Sequence, residues 1–458
     1  MKPGIKLDGK RVLVVGLART GVASALFCAA RGARVIANDA QTEAELVAAG
    51  VTQRAALDEL RAAGVALELG GHRDETFLAQ DLIIQSPGVP AEMAAFVAAR
   101  AAGIPVWSEI ELAWRFLRGR LIGITGANGK TTTTALTGHI LYHAGMPTLV
   151  GGNIGTPLIS LVESSSDATV TVAEMSSFQL ETIDAMRPDI AVWLNLTPDH
   201  LDRHPSFQLY GQAKARIFEN QTEEDAAVLN ADDPETPRYA PTGPRLYWFS
   251  RERRVMNGAF LRDAEIVFRQ NGEETVLLRR GDIGLRGAHN VENVLAAAMA
   301  AHLAGASPAA IAESVHTFAG VEHRLEFVAE IDGVEYFNDS KATNVDATLK
   351  AIDAFDGNLL IILGGKDKGG DFTVLREPLH RRARLALTIG KAAEKISAQI
   401  DGAVPVEAAD TLERAVHMAH ERAQPGDTVL LAPACASFDQ FQNYEHRGRV
   451  FKELVHAL

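Results

Sequence analysis

Short apolar runs alternate with longer stretches of helical periodicity along most of the chain, and the runs end in glycine or polar residues. Arg11-Val12-Leu13-Val14-Val15-Gly16 is the first such run, of the kind buried on both faces in a parallel sheet. A helix is expected over 20–31, with Val22, Leu26 and Ala29 on one face and Gly32 as its stop. A strand over 34–37 ends at Asn38-Asp39. Another over 81–85 breaks at Ser86-Pro87-Gly88-Val89-Pro90, and this first block closes near Trp107-Ser108. In a second block, a strand over 169–173 leads into Glu174, and one over 190–194 leads into Asn195. Between about 251 and 286 apolar and charged residues alternate around Asn271-Gly272, which predicts a small antiparallel appendage. An Ala-rich helix follows Asn290 and ends near Gly305. A third block starts around Gly320, with strands over 334–337, 359–363, 385–389 and 428–432. Three successive blocks of this kind predict an α/β protein of three domains, 1–108, 109–320 and 321–458.

Composition narrows the function classes. The 458 residues exceed one typical core, and 47% hydrophobic with 22% charged residues is ordinary for a globular protein. A formal net charge of −13 argues against nucleic acid or an anionic membrane as the main partner, though not against small anions held by local groups. Two cysteines, Cys28 and Cys435, exclude a disulfide framework or a cysteine-built zinc cluster and fit a reducing cytoplasm. The N-terminus has no long apolar core, and no stretch approaches a membrane span.

The chemistry-bearing residues follow the strands, where open α/β sheets bind ligands. Ile122-Gly123-Ile124-Thr125-Gly126-Ala127-Asn128-Gly129-Lys130-Thr131-Thr132-Thr133 takes an apolar strand through glycines into a helix. Glycines bring backbone N–H groups close to phosphate oxygens, the helix start favours negative charge, Lys130 adds a cation, and Thr131 offers a hydroxyl to Mg²⁺. The loop is tighter than the common phosphate-binding pattern, since Ile124 occupies the place of its first glycine. Glu174, His200 in Asn195-Leu196-Thr197-Pro198-Asp199-His200-Leu201-Asp202, and Lys214 add metal- and phosphate-directed groups. Singly, each also reads as a helix-start acid, a loop histidine or a solvated lysine. Gly16-Leu17-Ala18-Arg19-Thr20-Gly21 resembles a dinucleotide fingerprint with Ala18 in place of the middle glycine, and Asp39 is spaced to meet a ribose hydroxyl. A nicotinamide site, another nucleotide-like ligand and a sheet-packing turn all fit that segment. Gly151-Gly152-Asn153-Ile154-Gly155 is a flexible loop with one amide side chain. Asn290 and Asn293 lie one helical turn apart, placed to face a base or ribose, or else Asn290 caps the helix. In the third block Glu322-His323-Arg324 precedes three post-strand loops: Asn338-Asp339-Ser340-Lys341-Ala342-Thr343-Asn344, Gly364-Gly365-Lys366-Asp367, and Ala432-Pro433-Ala434-Cys435-Ala436-Ser437-Phe438. Their cations suit phosphate and carboxylate.

In order and along essentially the whole chain, these motifs resemble the Mur ligases of bacterial cell-wall synthesis. The first and third blocks are most similar to the branch that adds D-glutamate to UDP-N-acetylmuramoyl-L-alanine. The resemblance implies Rossmann-like N- and C-terminal domains around a central ATPase-type domain. It implies MgATP-dependent ligation through an acyl phosphate, in peptidoglycan precursor synthesis, by a cytoplasmic monomer. It places the UDP-substrate near Leu17, Ala18, Arg19, Thr20, Asp39, Ser86, Pro87, Gly88 and Asn153. ATP falls to Gly126, Asn128, Gly129, Lys130, Thr131, Thr132, Asn290, Asn293, Arg324 and Asp339. Mg²⁺ falls to Thr131, Glu174, His200 and Lys214, the lysine being carbamylated in the family. Glutamate falls to Thr343, Lys366, Ser437 and Tyr444. Lys130, Glu174, His200 and Lys214 are the implied catalytic set. Rivals are a ligase for another Mur step, a folylpolyglutamate-synthase-like ligase and an ATP-binding regulator.

Overall fold

The computed structural model describes residues 4–48, 50–200 and 203–458; Leu201 and Asp202 of the loop read above lie outside them. The chain divides into two compact units. The first comprises Met1–Arg280 with Leu295–Ser314, and the second comprises Gly281–Val294 with Val315–Leu458.

The first unit carries two sheets. One contains β1 (Arg11–Val15), β2 (Arg34–Asp39), β3 (Ala66–Leu69), β4 (Leu82–Gln85) and β5 (Val106–Ser108), in the order β3-β2-β1-β4-β5 and all parallel. The apolar runs become strands because both faces are covered: Val12, Leu13, Val14 and Val15 are all buried. The helix Arg19–Ala30 returns over this sheet, one residue earlier than the periodicity suggests. Gly21 is required there, since a Cβ would collide with the Gly16 carbonyl.

The other sheet contains β6 (Arg120–Thr125), β7 (Thr148–Gly152), β8 (Val170–Glu174), β9 (Ile190–Trp193), β10 (Ala226–Asn230), β11 (Arg245–Ser250), β12 (Gly258–Arg262), β13 (Glu265–Gln270) and β14 (Glu273–Arg279). Their order is β14-β13-β12-β11-β10-β9-β6-β8-β7. The antiparallel segment expected from the alternating pattern is present, and it extends the central sheet: β12 lies parallel to β11, and β13 and β14 fold back antiparallel. The β13–β14 turn has Asn271 at φ 54° and Gly272 at φ 87°, as a tight hairpin with the twist of its strands requires. One apolar cluster runs through both sheets, from Val12, Val14 and Leu17 through Trp107, Ile110 and Leu121 to Trp193 and Leu229.

The second unit contains β15 (Glu326–Ile331), β16 (Val334–Asn338), β17 (Leu359–Gly364), β18 (Ala383–Ile389), β19 (Val406–Asp410) and β20 (Thr428–Leu431), ordered β15-β16-β20-β17-β18-β19. Its strands are parallel except for β15, which pairs antiparallel with β16 at one edge. Apolar clusters cover both faces, one around Phe337, Leu363 and Phe372, the other around Tyr336, Leu387 and Phe451. Among the described residues, no helix is long and apolar enough to cross a membrane.

A buried acid marks where the two sheets of the first unit meet. Glu109 opens the helix Glu109–Phe116, is fully buried, and accepts from the Ile159 N–H; its Oε2 has no hydrogen-bond partner among the described residues. Burial pushes its carboxyl up to about 7, against the pull of the Ile159 and Leu158 N–H groups. A raised carboxyl binds its proton more tightly in the folded state than in the unfolded chain. Stability from this group is therefore complete below the ordinary glutamate range and falls as pH rises through about 7. Glu109→Gln removes that dependence. Its melting temperature relative to wild type should rise between about pH 5 and about pH 8, measured by thermal unfolding; a constant difference would contradict the burial account.

Candidate active site

The central sheet brings the phosphate-loop residues together through its strand order. β6 lies between β8 and β9, so the loops leaving their carboxyl ends are neighbours. After β6 the chain turns at Gly126 (φ 155°) and Gly129 (φ 84°), and Gly129 caps the helix Lys130–His143. A side chain at Gly126 would press on Leu194, its Cβ only 3.0 Å from the Leu194 Cβ. Lys130 lies back over the loop, its Nζ donating to the carbonyls of Gly126 and Ala127, each at 2.8 Å. Thr131, Thr132 and Asn128 are all buried at this helix start.

Glu174, the last residue of β8, is the hub. Its buried carboxylate accepts from the Thr131 hydroxyl at 2.8 Å and from the Asn153 amide at 2.9 Å. The Asn153 backbone N–H also donates to the Glu174 carbonyl. That close approach needs Gly152, whose φ is 99° and whose Cβ would strike the same carbonyl.

Lys214, on the helix Phe207–Ala215, is 2% exposed and reaches the same loop. Its Nζ donates to the Gly126 carbonyl at 2.9 Å and lies 4.6 Å from the Tyr210 ring centre. Two lysine Nζ atoms thus converge on one carbonyl. Burial holds Lys214 well below the ordinary lysine value, and the Lys130 charge adds to the effect, while Asp199 and Glu174 oppose it. His200 sits on a left-handed backbone (φ 54°), its N–H donating to Asp199 Oδ1 at 2.9 Å and its ring edge-on to Phe178 at 5.1 Å.

One residue of this cluster escaped the list of site residues read from the sequence. Asn195 follows β9 and clamps the phosphate loop: its Oδ1 accepts from the Asn128 N–H at 2.8 Å, and its Nδ2 donates to the Asn128 carbonyl at 3.1 Å. The signal was an asparagine directly after a buried apolar run, beside a glycine-rich loop on the neighbouring strand.

A second loop cluster lies over the first sheet. β1 lies between β2 and β4, which puts Leu17, Ala18, Arg19 and Thr20 beside Asp39 and Ser86-Pro87-Gly88. Asp39 does not present a free carboxylate: Oδ2 accepts from the Leu17 N–H at 2.8 Å and Oδ1 from the Gln41 N–H at 3.0 Å. Ser86 donates to the Gly16 carbonyl at 2.7 Å. The cavity here measures about 580 Å³ and is lined by Leu17, Arg19, Thr20, Asp39, Ser86 and also Asn153, which ties it to the Glu174 hub. His72 and Gln179 line it too, and neither was singled out in the sequence as a site residue.

The remaining sequence-predicted residues belong to the second unit. There β20 lies between β16 and β17, so the loops bearing Asp339 and Thr343, Ser437, and Lys366 are neighbours. Lys366 and Ala436 exchange backbone hydrogen bonds at 2.8 and 3.1 Å. Lys341 lies 5.2 Å from the Tyr444 ring centre. Burial pushes the Asp339 carboxyl up to about 6, against the pull of Arg324, the Leu325 N–H and Lys341. Asp339 Oδ1 and Arg324 Nε have no hydrogen-bond partner among the described residues. Asn290 and Asn293, both buried, meet each other at 2.9 Å, and Asn290 also donates to the Arg286 carbonyl. Asn290 lies inside the helix Ala288–Ala304, so it does not cap it.

Three family models match this chain in order: the Mur ligase MurD-like N-terminal domain over 10–108, the Mur ligase middle domain over 124–301, and the Mur ligase glutamate ligase domain over 323–435. A UDP-N-acetylmuramoylalanine--D-glutamate ligase of Acidobacterium capsulatum is 54% identical over 456 residues, covering 99% of this chain and 97% of that one. The ligase of the same name from Koribacter versatilis is 53% identical over 451 residues, with 98% of each chain covered. Among solved structures, MurF ligase from Thermotoga maritima in complex with ADP superposes with a TM-score of 0.59 at 17% identity, covering 100% of this chain and 97% of that one. Relatives above half identity, aligned nearly end to end, join the phosphate loop, the Glu174 hub and the second unit's loops in one lineage: this chain belongs to the Mur ligase family.

Proposed function

We propose that this protein adds D-glutamate to UDP-N-acetylmuramoyl-L-alanine at the expense of ATP, in the synthesis of peptidoglycan precursors. The names and full-length identity of its relatives carry this reading. The domain division 1–108, 109–320 and 321–458 then separates UDP-substrate, ATP and amino-acid binding. The protein works as a cytoplasmic monomer.

The chemistry is set by a poor acylating agent. A carboxylate has no usable leaving group, so its oxygen first attacks the γ-phosphorus of ATP, the bond to the ADP oxygen breaks, and an acyl phosphate forms. The glutamate nitrogen then attacks the acyl carbon, the C–N bond forms, the C–O bond to phosphate breaks, and the amine proton leaves. Both steps crowd anions together. The phosphate loop and Lys130 offset that crowding by fixed dipoles and charge. Lys130 reaches the Gly126 and Ala127 carbonyls, which puts its ammonium at the cradle that Asn128, Gly129, Thr131 and Thr132 form. The family resemblance assigns Asn290, Asn293, Arg324 and Asp339 to ATP as well.

The oxygen atoms of the hub fit a hard divalent cation: Thr131 and Glu174 present them side by side. His200, on the loop after β9, is the third group assigned to that cation. An ammonium at Lys214 does not fit such a set. Burial and the nearby Lys130 charge shift Lys214 toward its neutral, nucleophilic amine, and its carbamate is an anionic oxygen ligand. Bound Mg²⁺ would neutralise phosphate charge there.

The UDP end of the substrate lies along Leu17, Ala18, Arg19, Thr20, Asp39, Ser86, Pro87 and Gly88, with Asn153 between that cavity and Glu174. Glutamate is held by Thr343, Lys366, Ser437 and Tyr444.

Phosphate release from MgATP should require both UDP-N-acetylmuramoyl-L-alanine and D-glutamate. Release without them would favour an ATP-binding regulator. Lys130→Ala and Glu174→Ala should each lose at least about a hundredfold in turnover, the loss typical of a main charge stabiliser, and near-normal rates would contradict the site. Lys214→Arg keeps positive charge but forms no carbamate. It should lose most activity, and wild-type turnover in that variant would remove the carbamate from the mechanism.

A further inference from the structure

Arg447 is among the most deeply buried side chains of the second unit, at 1% exposed, yet no carboxylate pairs with it among the described residues. It stands in the first turn of the helix Tyr444–His456. Four hydrogen bonds satisfy its guanidinium, all to oxygen atoms of two loops. Nε donates to the Ser340 hydroxyl at 3.0 Å and Nη2 to the Ser340 carbonyl at 2.7 Å. Nη1 and Nη2 both donate to the Cys435 carbonyl at 3.2 Å. Ser340 in turn donates from its hydroxyl to the Tyr444 carbonyl at 2.8 Å. Burial pushes the guanidinium down to about 10, so it stays charged at neutral pH.

A buried, unpaired cation is costly, and such a group persists where its bonds are all made. Here the bonds join the loop after β16, which holds Thr343, to the loop after β20, which holds Ser437. The Lys366–Ala436 backbone pair then joins the second of these to the loop after β17. Gly365 permits the close passage, since it has φ 133° and a Cβ there would strike the Ala436 carbonyl and sit 3.3 Å from Arg447 Nη1. Ser340 links the same tie to Tyr444. The four residues assigned to glutamate, Thr343, Lys366, Ser437 and Tyr444, therefore hang on one guanidinium. With four N–H groups engaged inside the protein, Arg447 does not itself serve as the carboxylate contact.

We infer that Arg447 is a positioning residue for the amino-acid pocket: it fixes the spacing of the loops after β16, β17 and β20 and so sets affinity for glutamate. This rests on the assignment of that pocket under the proposed function. Lysine cannot replace it, because an ammonium presents its donors from one point and lacks the planar fork that spans Ser340 and Cys435.

The test is steady-state kinetics with each substrate varied in turn, on wild type, Arg447→Lys, Ser340→Ala and Lys366→Ala. Arg447→Lys should raise the KM for D-glutamate about tenfold or more, the loss expected when charge-assisted bonds are removed. Its kcat should stay within about threefold, with the KM for MgATP and for UDP-N-acetylmuramoyl-L-alanine unchanged. Ser340→Ala, which keeps the arginine and removes one acceptor, should raise the glutamate KM in the same direction by less, and it carries the test if Arg447→Lys does not fold. A wild-type glutamate KM in both variants, or an equal rise in all three KM values, would overturn the inference. Lys366→Ala separates the two levels: if it too leaves the glutamate KM unchanged, the pocket assignment itself fails.

Discussion

The hydrogen bond from the Thr131 hydroxyl to the Glu174 carboxylate is the interaction on which the site depends. It joins the first turn of a helix to the end of the neighbouring strand, so the phosphate loop and the acid keep a fixed separation. The Asn153 amide holds the other carboxylate oxygen, which extends the constraint to the loop after β7 and to the cavity over the first sheet. A buried carboxylate that accepts from two neutral donors is held in a fixed orientation by bonds that bring no counter-charge. Positioning of this kind is what electrostatic catalysis requires, because the dipoles and charges are set before the reaction begins.

The balance of charge around that bond explains why two lysines are tolerated on one carbonyl. Lys130 and Lys214 both donate to Gly126, and burial, with the Lys130 charge added to it, lowers Lys214. Lys214, enclosed and set against Tyr210, is the amine whose neutral form the site favours. In the second unit a single arginine organises loops contributed by three strands.

Much of this was legible in the chain because it is written locally. Apolar runs became parallel strands, glycines with positive φ marked the phosphate loop, and Asn271-Gly272 formed the hairpin turn its residue types require. What the residues could not show was which distant segments meet. β15 (Glu326–Ile331) has only the three-residue apolar run Phe327-Val328-Ala329 between two glutamates and takes its place from pairing with β16, so it went unread. The hairpin strands after β11 looked like an appendage because nothing in their alternating pattern shows that β12 lies parallel to β11 and so joins the central sheet. Asn195 and Arg447 are ordinary polar residues until the strand order brings a partner loop beside them. The core cluster shared by the first two sheets likewise unites residues that sequence blocks keep apart, which is why they form one compact unit.

The account turns on the Glu174 carboxylate as the oriented charge that receives a divalent cation beside the phosphate loop. The direct measurement is ATP affinity, by calorimetry, in the presence of Mg²⁺ and in its absence, for wild type and for Glu174→Gln. The amide keeps the size of the side chain and one acceptor, for Thr131 or for Asn153, and removes the charge. Mg²⁺ should tighten ATP binding in wild type, and Glu174→Gln should lose that gain while binding metal-free ATP as wild type does. An undiminished Mg²⁺ effect in Glu174→Gln would contradict the account.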